Sequence, residues 1–418
     1  MTQRFQAPKG THDVLPPASA RWEALVTTFA SQVERAGYGL LQSPMFEDIG
    51  VFRRMGEGTD VVRKEMYDFV DKGGEHIALR PEGTAPVVRA FIQHHPLTPW
   101  KVWYLTPSFR YERPQKGRVR QHHQVGVEAL GVDDPDLDVE VVALLWDFLT
   151  SLGLRDIRLL VNSMGDLEGR AAYLDRLRSF LDEHRDGLDP EDHEKIDEFP
   201  MRVLDSKRPA SQEVAAAAPT LVESLSASAT RHFDRVQDGL RSLDIPFEIE
   251  PRLVRGLDYY THTTFEVQSA ALDAAQSTIG GGGRYDGLVE ALGGEPAPGI
   301  GFGSGIERVL LACDAEDIFA GPEQRLDVYV IDVVGGDWAR DLTHELRRAG
   351  VAADRAWGGR SMKAQMKAAD RSGASLALIV GEDERAQGMV TVRHLRGDAP
   401  QEAVAREVVV DHVRGLNP

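Results

Sequence analysis

One short stretch constrains this fold more than any other. In Gln124-Val125-Gly126-Val127-Glu128-Ala129, polar or glycine positions alternate with apolar ones. Successive side chains of a strand point to opposite faces, so the stretch predicts a β-strand with one core face and one polar face. It extends over 119–130, and residues 100–112 read as a second strand. The segment Arg113–Gly117 contains Pro114 and Gly117, which predicts a hairpin with a longer loop. On the first of these two strands Arg110 and Glu112 share a face. On the second, Gly126 separates an amide from a carboxylate and leaves room for a ligand against the sheet. A hairpin alone leaves two readings open, because a solvated polar sheet face is common.

The rest of the chain fills in around this hairpin. Trp22, Leu25, Val26, Phe29 and Val33 have helical spacing over 20–36, as do Val141, Leu144, Leu145, Phe148 and Leu149 over 137–152. Tyr38–Gln42, Phe247–Val254 and Thr263–Val267 read as extended. Residues 165–244 are rich in Ala, Asp, Glu and Arg, and predict a mostly helical insertion with a solvated surface. The run Gly280–Gly283 is expected to break regular structure before a helical stretch near Tyr285, and a further helix starts near Ser304. Beyond Gly321 and Pro322, apolar strands at Leu326–Val334, Leu376–Val380 and Met389–Val392 alternate with helical sequence at Trp338–Arg348. That alternation predicts a separate small α/β domain. The reading is a domain over 1–320, an insertion over 165–245 within it, and a second domain over 325–418.

Charge is uneven. The chain of 418 residues carries a net charge of −18. That is a poor footprint for a sequence-blind nucleic-acid binder, which needs clustered Lys and Arg. Yet Lys101–Arg120 contains Lys101, Arg110, Arg113, Lys116, Arg118 and Arg120 against one acid, Glu112. A concentrated basic stretch in an acidic protein predicts a site for a specific anion. The single cysteine, Cys313, excludes an internal disulfide and a multi-cysteine zinc site. No apolar run approaches the roughly 20 residues of a membrane helix, and Met1–Gly10 does not read as a secretory signal. Cytoplasmic residence is the resulting expectation.

Three further runs stand out: Arg255-Gly256-Leu257-Asp258-Tyr259-Tyr260, Gly280–Tyr285, and Gly299-Ile300-Gly301-Phe302-Gly303-Ser304-Gly305-Ile306-Glu307-Arg308. Each alone is more simply a turn. The last imitates a dinucleotide fingerprint but does not follow a clear βαβ strand. His94-His95 and His122-His123 lack the partners of a good metal site.

Together, however, these runs resemble the histidine-specific class II aminoacyl-tRNA synthetases. Phe109-Arg110-Tyr111-Glu112-Arg113 and its loop resemble motif 2. Gly301–Arg308 resembles motif 3, and the helix over 20–36 with the strand ending near Pro44 resembles motif 1. Arg255–Tyr260, the glycine run through Tyr285, Arg80-Pro81-Glu82-Gly83-Thr84 and Arg113–Arg118 resemble segments of the histidine-specific members. One departure is His122, where the family often has the Phe expected to stack on adenine.

The resemblance implies an α+β catalytic domain built on an antiparallel sheet, a helical insertion, and a C-terminal α/β domain that binds the anticodon. It implies activation of L-histidine by ATP with Mg2+, then transfer to tRNA(His), by a homodimer without a membrane segment. Arg110 and Arg255 would be catalytic, both at the α-phosphate. Arg110, Arg118, His122 and Arg308 would bind ATP, Arg118 at the γ-phosphate and Arg308 over the adenine. Glu82, Thr84, Gln124 and Tyr285 would hold the histidine ammonium group. Glu128 and Tyr260 would hold its ring, with Arg255 and Tyr259 also at the amino acid. Gln115 would meet the tRNA acceptor end, and no dedicated protein ligands for a metal are expected. The alternative is a synthetase-like regulatory subunit of ATP phosphoribosyltransferase, a paralogue that usually lacks the C-terminal domain.

Overall fold

In a computed structural model the described residues are 4–55, 61–115, 117–204, 206, 208–253, 259–273, 276–322, 326–397 and 399–416. The chain divides into two units, Met1–Gly321 and Pro322–Pro418.

The first unit is organised by an eight-stranded sheet. From one edge its order is Gly39–Leu40, Trp100–Phe109, Gln121–Leu130, Gly299–Gly305, Thr278–Arg284, Thr261–Ser269, Ile157–Ser163 and Glu248–Ile249. The six inner strands pair antiparallel, and only the two short edge strands pair parallel. Val125, Val127 and Ala129 are fully buried on one face of the sheet, among the apolar side chains of the helices Ala18–Arg35 and Pro135–Ser151. Burying each large apolar side chain there contributes roughly 1.5–3 kcal/mol. Gln124, Gly126 and Glu128 therefore look out from the other face, as the alternation requires.

The two hairpin strands are shorter than their apolar pattern. Pairing runs from Trp100↔Leu130 to Phe109↔Gln121. Beyond it Arg110 N still donates to Arg120 O at 2.9 Å, but Glu112 N donates back to Arg110 O at 2.8 Å and turns the chain. Arg110 and Glu112 thus lie on a loop rather than on a strand face, although both reach the same cleft.

The glycine run needs a larger correction. Gly280–Gly283 does not break structure but forms the middle of a central strand, Thr278–Arg284, paired on both sides. Glycine is required because the neighbouring backbones leave no space. A Cβ at Gly283 would stand 2.6 Å from Thr263 O and 2.8 Å from the Tyr260 ring. Close backbone approach is the other meaning of glycine in a strand. The helix after Tyr285 is reduced to Leu288–Ala291, and Ser304 lies within the strand Gly299–Gly305, just before the helix Ile306–Ala315. Among the described residues of the extended stretch over 247–254, Glu248–Ile249 form a strand.

Residues 165–245 carry helices including Leu167–Glu183, Pro209–Ala217 and Ala227–Ser242. The first and last are capped by Asp166 and Ser226, whose side chains accept from Gly169 N and Ala229 N. A three-stranded sheet, Phe46–Asp48, His76–Leu79 and Tyr67–Val70, completes the unit.

The second unit has a five-stranded sheet in the order Ala353–Arg355, Val328–Asp332, Leu376–Val380, Met389–His394, Glu402–Ala405. The first three are parallel and the last two antiparallel. Helices Asp337–Arg348 and Val409–Leu416 contribute to one apolar cluster, and Met362–Arg371 to another.

Candidate active site

The polar face of the large sheet carries two adjoining sites. The first is an open cleft of about 770 Å³ lined by Arg110, Glu112, Arg118, His122, Gln124, Glu307 and Arg308, with glycines of the strands Thr278–Arg284 and Gly299–Gly305 forming its floor. Arg308 projects from the first turn of the helix Ile306–Ala315. Its Nε donates to Gly117 O at 3.1 Å and an Nη to Thr278 O at 3.1 Å. Burial, together with the positive charges of Arg118 and Arg110, pushes the Arg308 guanidinium below its usual pKa. An anion in the cleft would offset the charge that Arg118 and Arg110 place beside Arg308. Arg110 is anchored through Nε to Pro81 O at 2.9 Å, and Arg118 pairs with Glu112 at 3.2 Å.

His122 lines the same cleft. Burial, then Arg110 and Arg308, lowers its imidazole to about 3, so the ring is neutral at physiological pH. Its neighbour His123 is a fastening rather than a wall. Its backbone N–H and ring Nδ1 both meet the Glu307 carboxylate, at 3.0 Å and 2.8 Å, and tie the strand to the following helix. Sequence reading missed Glu307; its place next to Arg308 at a helix start was the available signal.

The second site lies deeper. Glu128 is fully buried and receives hydroxyls from Thr84 at 2.7 Å, Tyr285 at 2.5 Å and Tyr104 at 3.3 Å. Burial pushes its carboxyl up to about 8 despite those donors. A Cβ at Gly301 would overlap the Glu128 carboxylate, so glycine on the adjacent strand makes the space. Glu82 is also buried. It accepts from Thr84 N and Ala85 N, both at 2.8 Å, at the start of the helix Thr84–His94, and burial raises its carboxyl. The Tyr259 and Tyr285 rings meet edge to face at 5.9 Å. Tyr260 is buried beside Tyr259 and also joins the apolar cluster under the helix Leu167–Glu183.

The structure therefore gathers Arg110, Arg118, His122, Gln124 and Arg308 in the cleft. It gathers Glu82, Thr84, Glu128, Tyr259, Tyr260 and Tyr285 beside it. Gln115 sits exposed on the loop, where it exchanges backbone hydrogen bonds with Arg118. Residues 254–258, Arg255 among them, and Lys116 lie outside the described residues. Tyr104, a hydrogen-bond donor to Glu128, was not singled out in the sequence because a strand tyrosine carries no distinctive pattern.

Comparison with known proteins gives this arrangement its context. Residues 10–309 match the family described as histidyl-tRNA synthetase, and residues 327–416 match an anticodon binding domain. A protein of Rhodococcus erythropolis called histidine–tRNA ligase is 48% identical over 418 residues, covering 99% of this chain and 98% of its own. One of the same description from Moorella thermoacetica is 48% identical, covering 98% of both. The crystal structure of apo Staphylococcus aureus histidyl-tRNA synthetase superposes with a TM-score of 0.84 at 34% identity, covering 98% of this chain and all of that one. The chain belongs to the histidyl-tRNA synthetase family.

Proposed function

We propose that the protein activates L-histidine with ATP and transfers it to the 3′ end of tRNA(His), releasing pyrophosphate and AMP. The observation that carries the reading is the juxtaposition of an arginine-lined cleft with a buried, hydroxyl-ringed carboxyl group. The cleft fits a triphosphate and the carboxyl fits an imidazole.

Activation joins two anions, the histidine carboxylate and the α-phosphate, and charge grows on the phosphoryl oxygens as they meet. Fixed cations aimed at those oxygens lower that barrier. We assign Arg110 to the α-phosphate, Arg118 to the γ-phosphate and Arg308 to the adenine face. A neutral His122 ring suits stacking on adenine, since it adds no charge beside the arginines. Arg255 is assigned to the α-phosphate by resemblance alone. ATP enters as its magnesium complex, the triphosphate supplying oxygen ligands. Among the described residues no cluster of three or more His, Cys, Asp or Glu is placed to hold a metal by itself, so the ion is treated as part of the substrate.

Glu82, Thr84 and Gln124 present acceptors to the histidine ammonium group. Glu128 and Tyr260 meet the ring, Tyr259 walls the site, and Tyr285, which the resemblance assigns to the ammonium group, also donates its hydroxyl to Glu128. A pocket built to hydrogen-bond both ring nitrogens strands its own polar groups when an analogue lacks them, which is worth about 10⁴-fold or more in selectivity.

The reading of the second unit as the anticodon-binding domain is supported by a crevice at the carboxyl ends of Val328–Asp332 and Ala353–Arg355. Exposed Trp357 lies there under the Arg355 guanidinium at 4.0 Å, with Arg360 nearby. Aromatic and cationic side chains together suit unstacked RNA bases. The presence of this unit also favours charging over the regulatory-subunit alternative. We assign Gln115 to the acceptor end.

A homodimer is supported by the outer face of the three-stranded sheet. Register places Phe46, Tyr67 and Phe69 on that face, and Phe46 and Phe69 are exposed. An exposed apolar patch of this kind fits a second copy. Light scattering should give twice the chain mass, and Phe46→Glu with Phe69→Glu should give monomer. Cytoplasmic residence is proposed from the single cysteine. Among the described residues no helix is long and apolar enough to cross a membrane.

Charging of tRNA(His) transcript with labelled histidine tests the function. Activity with histidine and none with other amino acids supports it; no charging in the presence of intact tRNA and magnesium contradicts it. Arg255→Ala should slow adenylate formation greatly while histidine and ATP binding stay largely intact, and near-normal single-turnover rates would refute its role.

A further inference from the structure

The strands around Glu128 are poor in side chains. Thr278–Arg284 and Gly299–Gly305 are largely glycine, so few cross-strand side-chain pairs can fix their spacing. Yet the site demands that spacing, because Glu128 and Tyr285 meet at 2.5 Å from either side of the strand Gly299–Gly305.

A buried polar ring supplies what the glycines omit. Arg284 is fully buried and directs all five of its N–H donors to partners. Nε reaches Asp138 at 3.0 Å. One terminal nitrogen reaches Val132 O at 3.3 Å and Asp286 at 3.1 Å; the other reaches Asp134 O at 3.2 Å and, in a short contact, Asp138. Val132 and Asp134 directly follow the Glu128 strand. The second Asp138 oxygen lies 2.8 Å from His232 Nε2, on the helix Ala227–Ser242. His232 stacks on His262 with ring centroids 4.6 Å apart. His262 neighbours Thr261, whose hydroxyl accepts from Asp286 N at 3.1 Å. Asp286 then closes the circuit to Arg284. Tyr259 and Tyr260 lead into this ring on one side and Tyr285 sits within it on the other.

We propose that Arg284, Asp138, His232, His262, Thr261 and Asp286 form a positioning frame for imidazole recognition. They touch neither substrate, and the proposal rests on the histidine-activating reading above. The frame sets the distance between Glu128 and the tyrosines. The ATP cleft is held separately, by the Glu307–His123 and Arg308 contacts. Loosening the ring should therefore weaken histidine capture and leave ATP capture alone. Replacing a buried charged hydrogen bond by a neutral one weakens what depends on it by about tenfold or more.

Asp138→Asn keeps the shape of the side chain and weakens its bonds to Arg284 and His232. In ATP–pyrophosphate exchange, the histidine KM of this variant should rise about tenfold or more, with the ATP KM within about twofold of wild type. A merely structural role would lower the amount of active enzyme, and so kcat, with both KM values unchanged. Asp286→Asn, at the more exposed side of the ring, gives a milder lesion should Asp138→Asn fail to fold, and should move the histidine KM in the same direction. Unchanged histidine KM in both variants, or equal rises for histidine and ATP, overturns the proposal. A wild-type protein that does not exchange with histidine sinks the functional reading itself; a wild type that exchanges, with unaffected variants, sinks the frame alone.

Discussion

At the scale of residues, Glu128 decides most. Its carboxyl holds a proton up to about pH 8 in the empty site, while a free imidazole ionises at roughly 6.5. In the proposed complex, carboxyl and ring share one proton. Between those two values the free partners already carry one, so affinity is flat. Above pH 8 the complex must take up a proton, and below roughly 6.5 it must release one. Histidine binding should therefore show a plateau falling on both sides. Titration calorimetry across pH 5.5–9.5 checks this, and Glu128→Gln should abolish the alkaline limb along with most of the affinity. A wild-type affinity indifferent to pH from 7.5 to 9.5 would refute the assignment. Gly301→Ala is expected to inactivate the enzyme, because its methyl group would occupy the place of the Glu128 carboxylate. A Gly301→Ala protein that exchanges at the wild-type rate would contradict that packing.

At the scale of elements, the helix Ala18–Arg35 is the clearest case of sequence dictating structure. Its apolar stripe places Phe29 against Trp103, Phe148 and Phe302, with ring centroids 6.1, 5.0 and 6.1 Å away. Phe302 belongs to the strand that carries Gly301. Phe29→Ala should cost roughly 3–5 kcal/mol of stability, measurable by denaturant unfolding, and should also weaken the floor of the site. A loss below about 1 kcal/mol would mean that this core relaxes far more readily than buried aromatic sites do. The alternation in Gln124–Ala129 was equally legible, since period two survives even with a buried polar face. The glycine strand was not. With no side chains, Gly280–Gly283 shows no periodicity, and its meaning depends on backbones brought alongside from Thr261–Ser269 and Gly299–Gly305. The loop position of Arg110 and Glu112 was likewise hidden, because the turn at Glu112 is set by a backbone hydrogen bond rather than by residue type.

At the scale of the whole molecule, the chain divides into two units at Gly321. The first unit buries its own core and holds both adjoining sites. A truncated chain ending at Gly321 should therefore retain histidine-dependent activation while losing most tRNA charging; equal loss of both would argue that the units act as one. The polar ring around Arg284 shows what sequence withholds at this scale. Its members come from four separate stretches of chain, and none of Asp138, His232 or His262 carries a local signal. The arginine-lined cleft was more legible, since its cations lie in two short runs whose order resembles a known family.

The most direct test of the account is ATP–pyrophosphate exchange by the purified full-length protein, with magnesium and each of the twenty amino acids in turn. Exchange is expected with histidine and with no other. No exchange with any amino acid, from protein that still binds histidine, would contradict it and point to a regulatory rather than a charging role.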